Sequence, residues 1–490
     1  PSLFAYLGGM FPNSFPVILL TSELLLKFLM VGVLLLSKKK SDSAKIAWMF
    51  LIIALPFIGT FIFLLVGTRR LGSRRRKRNR KILEEIPQSI SPHIQNANSH
   101  VIQPQEKYFS VSHIASSIGG SAVLCGNDAT LISESDIFIE SLAEDIRNAK
   151  EQCHLLDYLM LDDKAGEIIT ESLIEANRRG VQCRLLLDSL GSKGFFNSSL
   201  YCSLKESGVQ VAEALPVNIL RAIFARVDLR NHRKIAVIDN TIGYMGSNNI
   251  AEKEFAVKKK FAPWVDASVR LTGPIVRELQ AIFVQDWFMD TDEDLDALLK
   301  EPINTNCHGI SAQLMATGPN STNLALSQLL QTAFFSAQQK LVITTPYFSP
   351  DDATESALLI AAKRGVETHL VLPAKNDSRL VQAASRSRYS YLLRAGVQVH
   401  EYRGGLLHAK TVTIDDEIAL IGSANLDRRS LDLNFEVSML VYDSKFAKEL
   451  RTLQYTYIDQ SHKIPIDLPK QWSISRRLWQ NAVSLIAPIL

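Results

Sequence analysis

The sequence predicts an α/β protein built from two similar halves with mixed sheets. A pseudo-two-fold axis relates the halves, and an N-terminal two-helix transmembrane hairpin precedes them. Three observations predict this: an internal repeat in fixed order, helical and apolar-strand patterns alternating within each copy, and two long apolar runs before residue 67.

The apolar runs come first along the chain. Val17–Leu36 is interrupted by Glu23 and Lys27, whose i,i+4 spacing lets them pair on one helical face. Ile46–Val66 has no charged residue. As one helix it would span about 31 Å, the thickness of a bilayer core, with Pro56 expected to kink it. Lys38, Lys39, Lys40 and Lys45 lie in the turn between the runs, and nine Lys or Arg follow between Arg69 and Lys81. The stronger cluster should stay on the cytoplasmic side, against anionic headgroups, with both ends of the hairpin inside. From Ile82 to about Ser121 no period is evident, and a linker is expected.

With 490 residues the chain has length for two or three domains. Its net charge is only +4, and most of the excess precedes residue 82. The remainder is not basic enough for a nucleic-acid binder. The five cysteines, Cys125, Cys153, Cys183, Cys202 and Cys307, are scattered and form no CxxC pair. Buried thiols in a reducing compartment are expected, with neither a disulfide framework nor a zinc site.

The repeat then unfolds in order. "LDYLMLDD" (Leu156–Asp163), "ANRRGVQCRLLLD" (Ala176–Asp188) and "SGVQVAE" (Ser207–Glu213) are matched by "TPYFSPDD" (Thr345–Asp352), "AAKRGVETHLVLP" (Ala361–Pro373) and "AGVQVHE" (Ala395–Glu401). Each half opens with a helical pattern, Asp136–Lys150 after a Ser135 cap and Leu329–Gln339. "CRLLL" and "THLVL" each follow a helix ending in Arg-Gly-Val, the pattern of α/β layers with a mainly parallel sheet.

Each half ends in the same chemistry. "NHRKIAVIDNTIGYMGSNN" carries His232, Lys234, Asp239, Ser247 and Asn249; "LHAKTVTIDDEIALIGSAN" carries His408, Lys410, Asp415, Ser423 and Asn425. In both, Asp follows His by seven residues and Gly follows Asp by seven. His and Lys at i,i+2 share one strand face. A neutral imidazole can attack phosphorus and a protonated one can donate to a leaving alkoxide. Two ammonium groups, two Ser hydroxyls and two Asn amides can hold the non-bridging oxygens, and nothing suggests a metal site. His154, His308, His369 and His400 lack such a setting and read as packing or surface residues.

These residues carry a resemblance. The doubled HxKxxxxD–GSxN resembles the signature of the phospholipase D superfamily, and the chain is most similar to bacterial cardiolipin synthases. The similarity extends to the N-terminal hairpin, "TPYFSPDD", "LPAKNDS", "GGLLHAK" and "GSANLDRRSLDLNFE"; the first copy departs only in reading "GSNN". It implies phospholipase D-like halves at 122–298 and 299–465, after a hairpin (1–67) and a basic juxtamembrane linker (68–121). It also implies phosphatidyl transfer between two phosphatidylglycerols, giving cardiolipin and glycerol through a phosphatidyl-histidine, without cofactor, metal or nucleic acid. The implied location is the bacterial inner membrane, multi-pass, with the catalytic part cytoplasmic; oligomeric state is left open. A membrane-bound phosphodiesterase hydrolysing phospholipids is the alternative. His232, Lys234, Asp239, His408, Lys410 and Asp415 form the catalytic group. The place of both Asp at a strand end also suits structural supports. Asp266 in "PWVDA" and Glu436 in "NFEV" follow the two turns and are the candidate histidine-orienting acids. The tail, 466–490, is expected to be an amphipathic interfacial helix beside the lipid, with packing on the catalytic part as the alternative. Trp472, Leu478, Trp479, Ala482, Val483 and Ile486 form its apolar face, and Arg476, Arg477 and Gln480 its polar one.

Overall fold

A computed structural model describes residues 15–37, 42–55, 57–67, 75, 77–78, 104–119, 122–216, 226, 228–300, 308–322 and 324–486. The chain divides into two compact units, one N-terminal and one holding nearly everything after residue 74.

In the N-terminal unit, α1 (Phe15–Leu35) contains the one described helix long and apolar enough to cross a membrane. Glu23 and Lys27 pair along it at 2.6 Å. The second apolar run is not one kinked helix, as expected, but two: α2 (Asp42–Ala54) and α3 (Ile58–Val66). Pro56 itself lies outside the described residues, yet its chemistry explains the break, because the residue before a proline is pushed out of the helical region. Met30 and Leu34 of α1, Trp48 and Ile52 of α2 and Phe63 of α3 form a small core, with the Trp48 and Phe63 rings edge to face at 5.3 Å.

Among the described residues, the second unit is built on one fifteen-stranded sheet. The first half contributes β1 (Leu124–Ile132), β2 (Gln152–Asp157), β3 (Gln182–Asp188), β4 (Gln210–Ala214), β5 (Ile235–Ile238), β6 (Ile242–Gly246) and β7 (Ser268–Thr272). The second contributes β8 (Ile310–Thr317), β9 (Lys340–Thr344), β10 (Glu367–Pro373), β11 (Gln398–Tyr402), β12 (Thr411–Ile414), β13 (Ile418–Gly422), β14 (Glu436–Val441) and β15 (Ser461–Lys463). The first half runs 1-7-6-5-2-3-4 and the second runs 8-14-13-12-9-10-11, with β15 at its edge. The order is the same in both, and the halves join through the antiparallel pair of their first strands, β1 and β8. Only the outer three strands of each half are parallel; the hairpins at the centre are antiparallel, so the mainly parallel expectation holds only at the flanks.

Helices cover both sheet faces. α4 (Phe109–Gly119), α5 (Ser135–Asn148), α6 (Lys164–Arg178), α7 (Ile275–Thr291), α8 (Ala325–Ser336), α9 (Asp352–Lys363), α10 (Arg379–Ser387), α11 (Ser444–Asp459) and α12 (Ile474–Ile486) are the ones needed here. Strand residues alternate between faces. In β5, Ile235 and Val237 join the core beneath α7, while Ala236 and Ile238 join the one beneath α5 and α6. α4 occupies part of the expected linker. Tyr108, Val111 and Ala115, spaced three and four apart, enter the core with Leu329 and Phe334 of α8. Ser135 is the first residue of α5 and not its cap; its hydroxyl instead receives Asn248 Nδ2 at 3.0 Å. Two arginines of the basic cluster are already engaged by this unit. Arg75 pairs with Asp290, and Arg78 donates to Met289 O at 2.9 Å and pairs with Asp292 at 2.9 Å. Cys153 and Cys183 are buried thiols and Cys202 an exposed one, but Cys125 is disulfide-bonded, which corrects the expectation of free thiols throughout.

The motif glycines end β6 and β13 where the neighbouring strand lies very close. A Cβ on Gly422 would sit 2.3 Å from Val437 O, and one on Gly246 2.6 Å from Ala267 O. Gly422→Ala should therefore destabilise the folded chain by about 1–3 kcal/mol, as overpacking does. A lowered denaturant midpoint at unchanged slope checks this; an unchanged midpoint refutes the close-approach account.

Candidate active site

Each motif histidine lies just before a central strand, His232 before β5 and His408 before β12, beside a segment of the other half. His232 N donates to Phe435 O at 2.9 Å, and His408 N donates to Val265 O at 2.7 Å. The carboxylates are exchanged accordingly. Glu436, from the second half, meets His232 Nδ1 at 3.0 Å, and Asp266, from the first, meets His408 Nδ1 at 2.6 Å. Both anticipated acids thus sit on histidines, each across the pseudo-two-fold axis.

The serines complete these pairs. Ser247 Oγ donates to Asp266 Oδ1 at 2.6 Å and receives Ala267 N at 2.9 Å. Ser423 Oγ donates to Glu436 Oε2 and receives Val437 N at 3.0 Å. Both serines therefore hold the orienting acids, not free space for a ligand. Lys234 Nζ and Lys410 Nζ each donate to the carbonyl of their own motif histidine, at 3.0 and 2.6 Å. Asn249 and Asn425 are buried, and the Oδ1 of each has no hydrogen-bond partner among the described residues.

The structure does not bring Asp239 and Asp415 to the histidines, contrary to their placement in the catalytic group. Each sits at the far end of its strand, five residues past the lysine and so roughly 16 Å along it. Asp239 accepts the N–H groups of Lys150, Glu151 and Gln152 at 2.8–2.9 Å. Asp415 accepts those of Gln338, Gln339 and Lys340 at 2.7–2.9 Å. Both begin two-residue hairpin turns with positive φ, 49° then 57° at Asp239–Asn240 and 51° then 60° at Asp415–Asp416. Short polar side chains suit that conformation.

Three neighbours escaped the sequence reading. The Tyr158 ring lies 4.9 Å from that of His232, with Lys234 Nζ 5.3 Å from its centre. Trp264 lies 4.6 Å from His408, stacked on Phe255 at 4.1 Å, and its buried Nε1 has no partner among the described residues. Both belong to quoted stretches, and the Tyr recurs in the second copy as Tyr347. The third is buried Arg233, inside the first motif, which holds Asp286 with two 2.8 Å bonds. It also donates to Glu436 O and Thr317 O, each at 3.1 Å. Ala409 takes its place in the second copy, so the repeat gave no signal for it. Of the remaining histidines, His154 stacks on Phe283 at 4.6 Å and meets Gln280 through Nδ1, and His369 Nδ1 shares a hydrogen bond with His400 Nε2 at 3.0 Å.

Burial sets the protonation states. It lowers His232, and it lowers His408 to about 4, with Lys410 adding to the second. Burial also pushes Glu436 and Asp266 up, but the paired histidine, serine and lysine outweigh it and hold both carboxyls below their usual range. Neutral imidazoles donating Nδ1–H to ionised carboxylates follow, leaving the lone pair on Nε2 of each ring. Burial drops Lys410 to about 7. Lys234 falls too, opposed first by Asp157, whose own carboxyl burial raises to about 7.

Known proteins carry the same pattern. The family described as "Cardiolipin synthase, PLD-like domain" matches residues 142–287 and 330–454, and "Phospholipase D-nuclease N-terminal" matches 25–67. Cardiolipin synthase A of Klebsiella pneumoniae is 35% identical over 469 residues, covering 93% of this chain and 94% of that one. Cardiolipin synthase A of Salmonella paratyphi B is 36% identical, covering 92% and 94%. Phosphatidylserine synthase from Haemophilus influenzae has the same fold, with a TM-score of 0.57 at 15% identity over 79% of this chain and 100% of that one. A duplicated scaffold with two histidine motifs defines the class, the phosphatidyltransferases of the phospholipase D superfamily. Within it, the chain belongs to the cardiolipin synthase family. It is a membrane protein acting on phospholipid.

Because Asp239 and Asp415 fasten turns, Asp239→Ala and Asp415→Ala should each cost about 1–3 kcal/mol of stability through orphaned N–H groups. Their kcat should stay within a few-fold when assayed well below the lowered melting temperature. Loss of kcat without loss of stability would instead return them to the reaction.

Proposed function

We propose that the paired site moves a phosphatidyl group from one phosphatidylglycerol to the glycerol hydroxyl of another, releasing free glycerol. The observation that carries this is the crossed pairing: two buried imidazoles, each with Nδ1 engaged by a carboxylate and Nε2 left to react. Nε2 of one histidine, neutral, attacks phosphorus, forming P–N and breaking the P–O bond to glycerol, which takes the Nε2 proton of the other histidine, an imidazolium formed when the anionic phosphodiester binds beside it. That second histidine then removes the proton from the incoming hydroxyl, which attacks phosphorus and breaks P–N. One phosphodiester replaces another, so the exchange needs no nucleotide.

Lys234 and Lys410 supply positive charge for the non-bridging oxygens, and the amides of Asn249 and Asn425 are the remaining donors we assign to them. Ser247 and Ser423 act through the acids they hold, as positioning residues. Asp266 and Glu436 fix the tautomers and stabilise the imidazolium forms. The Tyr158 and Trp264 rings beside the histidines disfavour water, the competing acceptor. The basic cluster after α3 favours a cytoplasmic, multi-pass arrangement in the bacterial inner membrane, by the positive-inside rule.

His232→Ala and His408→Ala should each lower cardiolipin formation from labelled phosphatidylglycerol by about 10³-fold or more while the protein stays in the membrane fraction. Near-normal turnover in either variant defeats the two-histidine scheme. Phosphatidic acid as the main wild-type product would favour the hydrolytic alternative.

Lys410 sets an alkaline limit. Its proton leaves the free enzyme as pH rises through about 7, so kcat/KM should fall there. Lys410→Arg, always charged, should move that fall upward while lowering kcat, since a fork replaces a point charge. A pH profile with the same alkaline limb in both proteins rules out this assignment.

A further inference from the structure

Three large exposed apolar side chains of the second unit lie on one helix: Ile474 at 74%, Leu478 at 64% and Trp479 at 57% exposure, all on α12. At 100° per residue, Ile474, Leu478, exposed Ala482 and Trp479 cover a sector of about 140°. The next sector is the seated one. Val483 packs on Leu380, Ala383 and Ala384 of α10, and Gln480 is buried. This corrects the expected division of the tail, in which Gln480 was polar surface and Val483 shared a face with Leu478. A helix whose only task was to pack would bury Leu478 and Trp479 before Gln480.

The charge on this segment has one sign. Leu468–Ile486 contains Lys470, Arg476 and Arg477 and no carboxylate. Arg477 is exposed, and Arg476 covers the Trp472 ring at 4.3 Å. The support beneath α12 leads to the site. α10 is capped by Ser378, and the adjacent Asp377 receives Tyr347 Oη at 2.7 Å and pairs with Lys258. The lysine segment continues directly to Trp264, against His408.

We propose that α12 is a bilayer-docking face: Ile474, Leu478, Trp479 and Ala482 enter the interfacial layer of an anionic phospholipid membrane, and Arg477 meets its headgroup phosphates. Through α10 and Asp377 this seats the His408 side of the site at the surface that carries substrate. The proposal rests on the phosphatidylglycerol reading above, whose headgroup supplies the complementary charge. A second protein copy fits less well. A thirteen-residue helix is about 20 Å long, so one face offers roughly 200 Å². A stable dimer buries about 800 Å² per partner. Interfacial helices instead bind by such a stripe of Leu, Ile and Trp flanked by cations.

The full chain, with Cys202→Ser, is reconstituted into vesicles containing phosphatidylglycerol. A nitroxide is placed at Leu478→Cys or, for comparison, at exposed Lys448→Cys on α11. Relaxation by oxygen and by an aqueous nickel chelate is measured. The label at 478 should be relaxed mainly by oxygen and the label at 448 mainly by nickel. In vesicles of phosphatidylcholine alone, the difference should shrink. Equal nickel access at both positions overturns the proposal, as does shielding of 478 from both reagents, or spin–spin broadening that reports a second copy. An unchanged oxygen preference in phosphatidylcholine overturns the headgroup contribution. Trp479→Glu with Leu478→Glu should lower turnover in vesicles about tenfold or more, yet leave turnover of a short-chain, water-soluble phosphatidylglycerol within twofold. Equal losses on both substrates count against docking. The label reads insertion without turnover. A wild-type chain that inserts but makes no cardiolipin would therefore fail the substrate reading and leave the docking face standing.

Discussion

The exchange of carboxylates between the halves is the constraint that the rest of the chain serves. His232 depends on Glu436 and His408 on Asp266, and all four side chains are nearly or fully buried. Buried charge without its partner costs about 3–5 kcal/mol, so these pairs tolerate little drift. The sheet supplies the rigidity. β1 and β8 lock the halves edge to edge, and Arg233 ties the first motif to the backbone of Glu436 and to Thr317. The motif glycines allow β7 and β14 to come close enough for Ser247 and Ser423 to reach the acids.

The protonation pattern follows from the same burial. A solvent-exposed imidazole would be partly charged near neutrality and compete with water for the carboxylate. Enclosed between β-strands and aromatic rings, each imidazole is neutral and oriented, and each acid remains ionised because its partners outweigh desolvation. The lysines pay for this arrangement in basicity, which places one of them near its titration point at physiological pH.

Much of this was legible in the chain. The repeat was visible because it preserves chemistry, so the histidines, lysines and serines could be named by register, and the two acids, 19 and 13 residues past their serines, only by their place after the turns. What could not be read was which acid crosses to which histidine, because pairing across an axis leaves no trace in spacing. Asp239 and Asp415 were ambiguous for a related reason: a residue kept in both copies can serve a turn as well as a reaction. α4 was hidden because Tyr108, Val111 and Ala115 are diluted by serines, and only the core of α8 reveals their period. Gln480 and Val483 were sorted by polarity, whereas docking on α10 sorts them by angle around the helix.

The crossed pairing also constrains how such a chain can arise and change. A half taken alone holds a histidine without its acid and an acid without its histidine. Two copies of one ancestral half, associated about a two-fold axis, regenerate both pairs at once, so the duplicated chain is a dimer carried on a single polypeptide. Joining the copies releases them from symmetry. Asp157 in the first half corresponds to Pro346 in the second, and Arg233 to Ala409. The two histidines thus stand in unequal surroundings, and a reaction whose two steps ask opposite things of them can assign each its own.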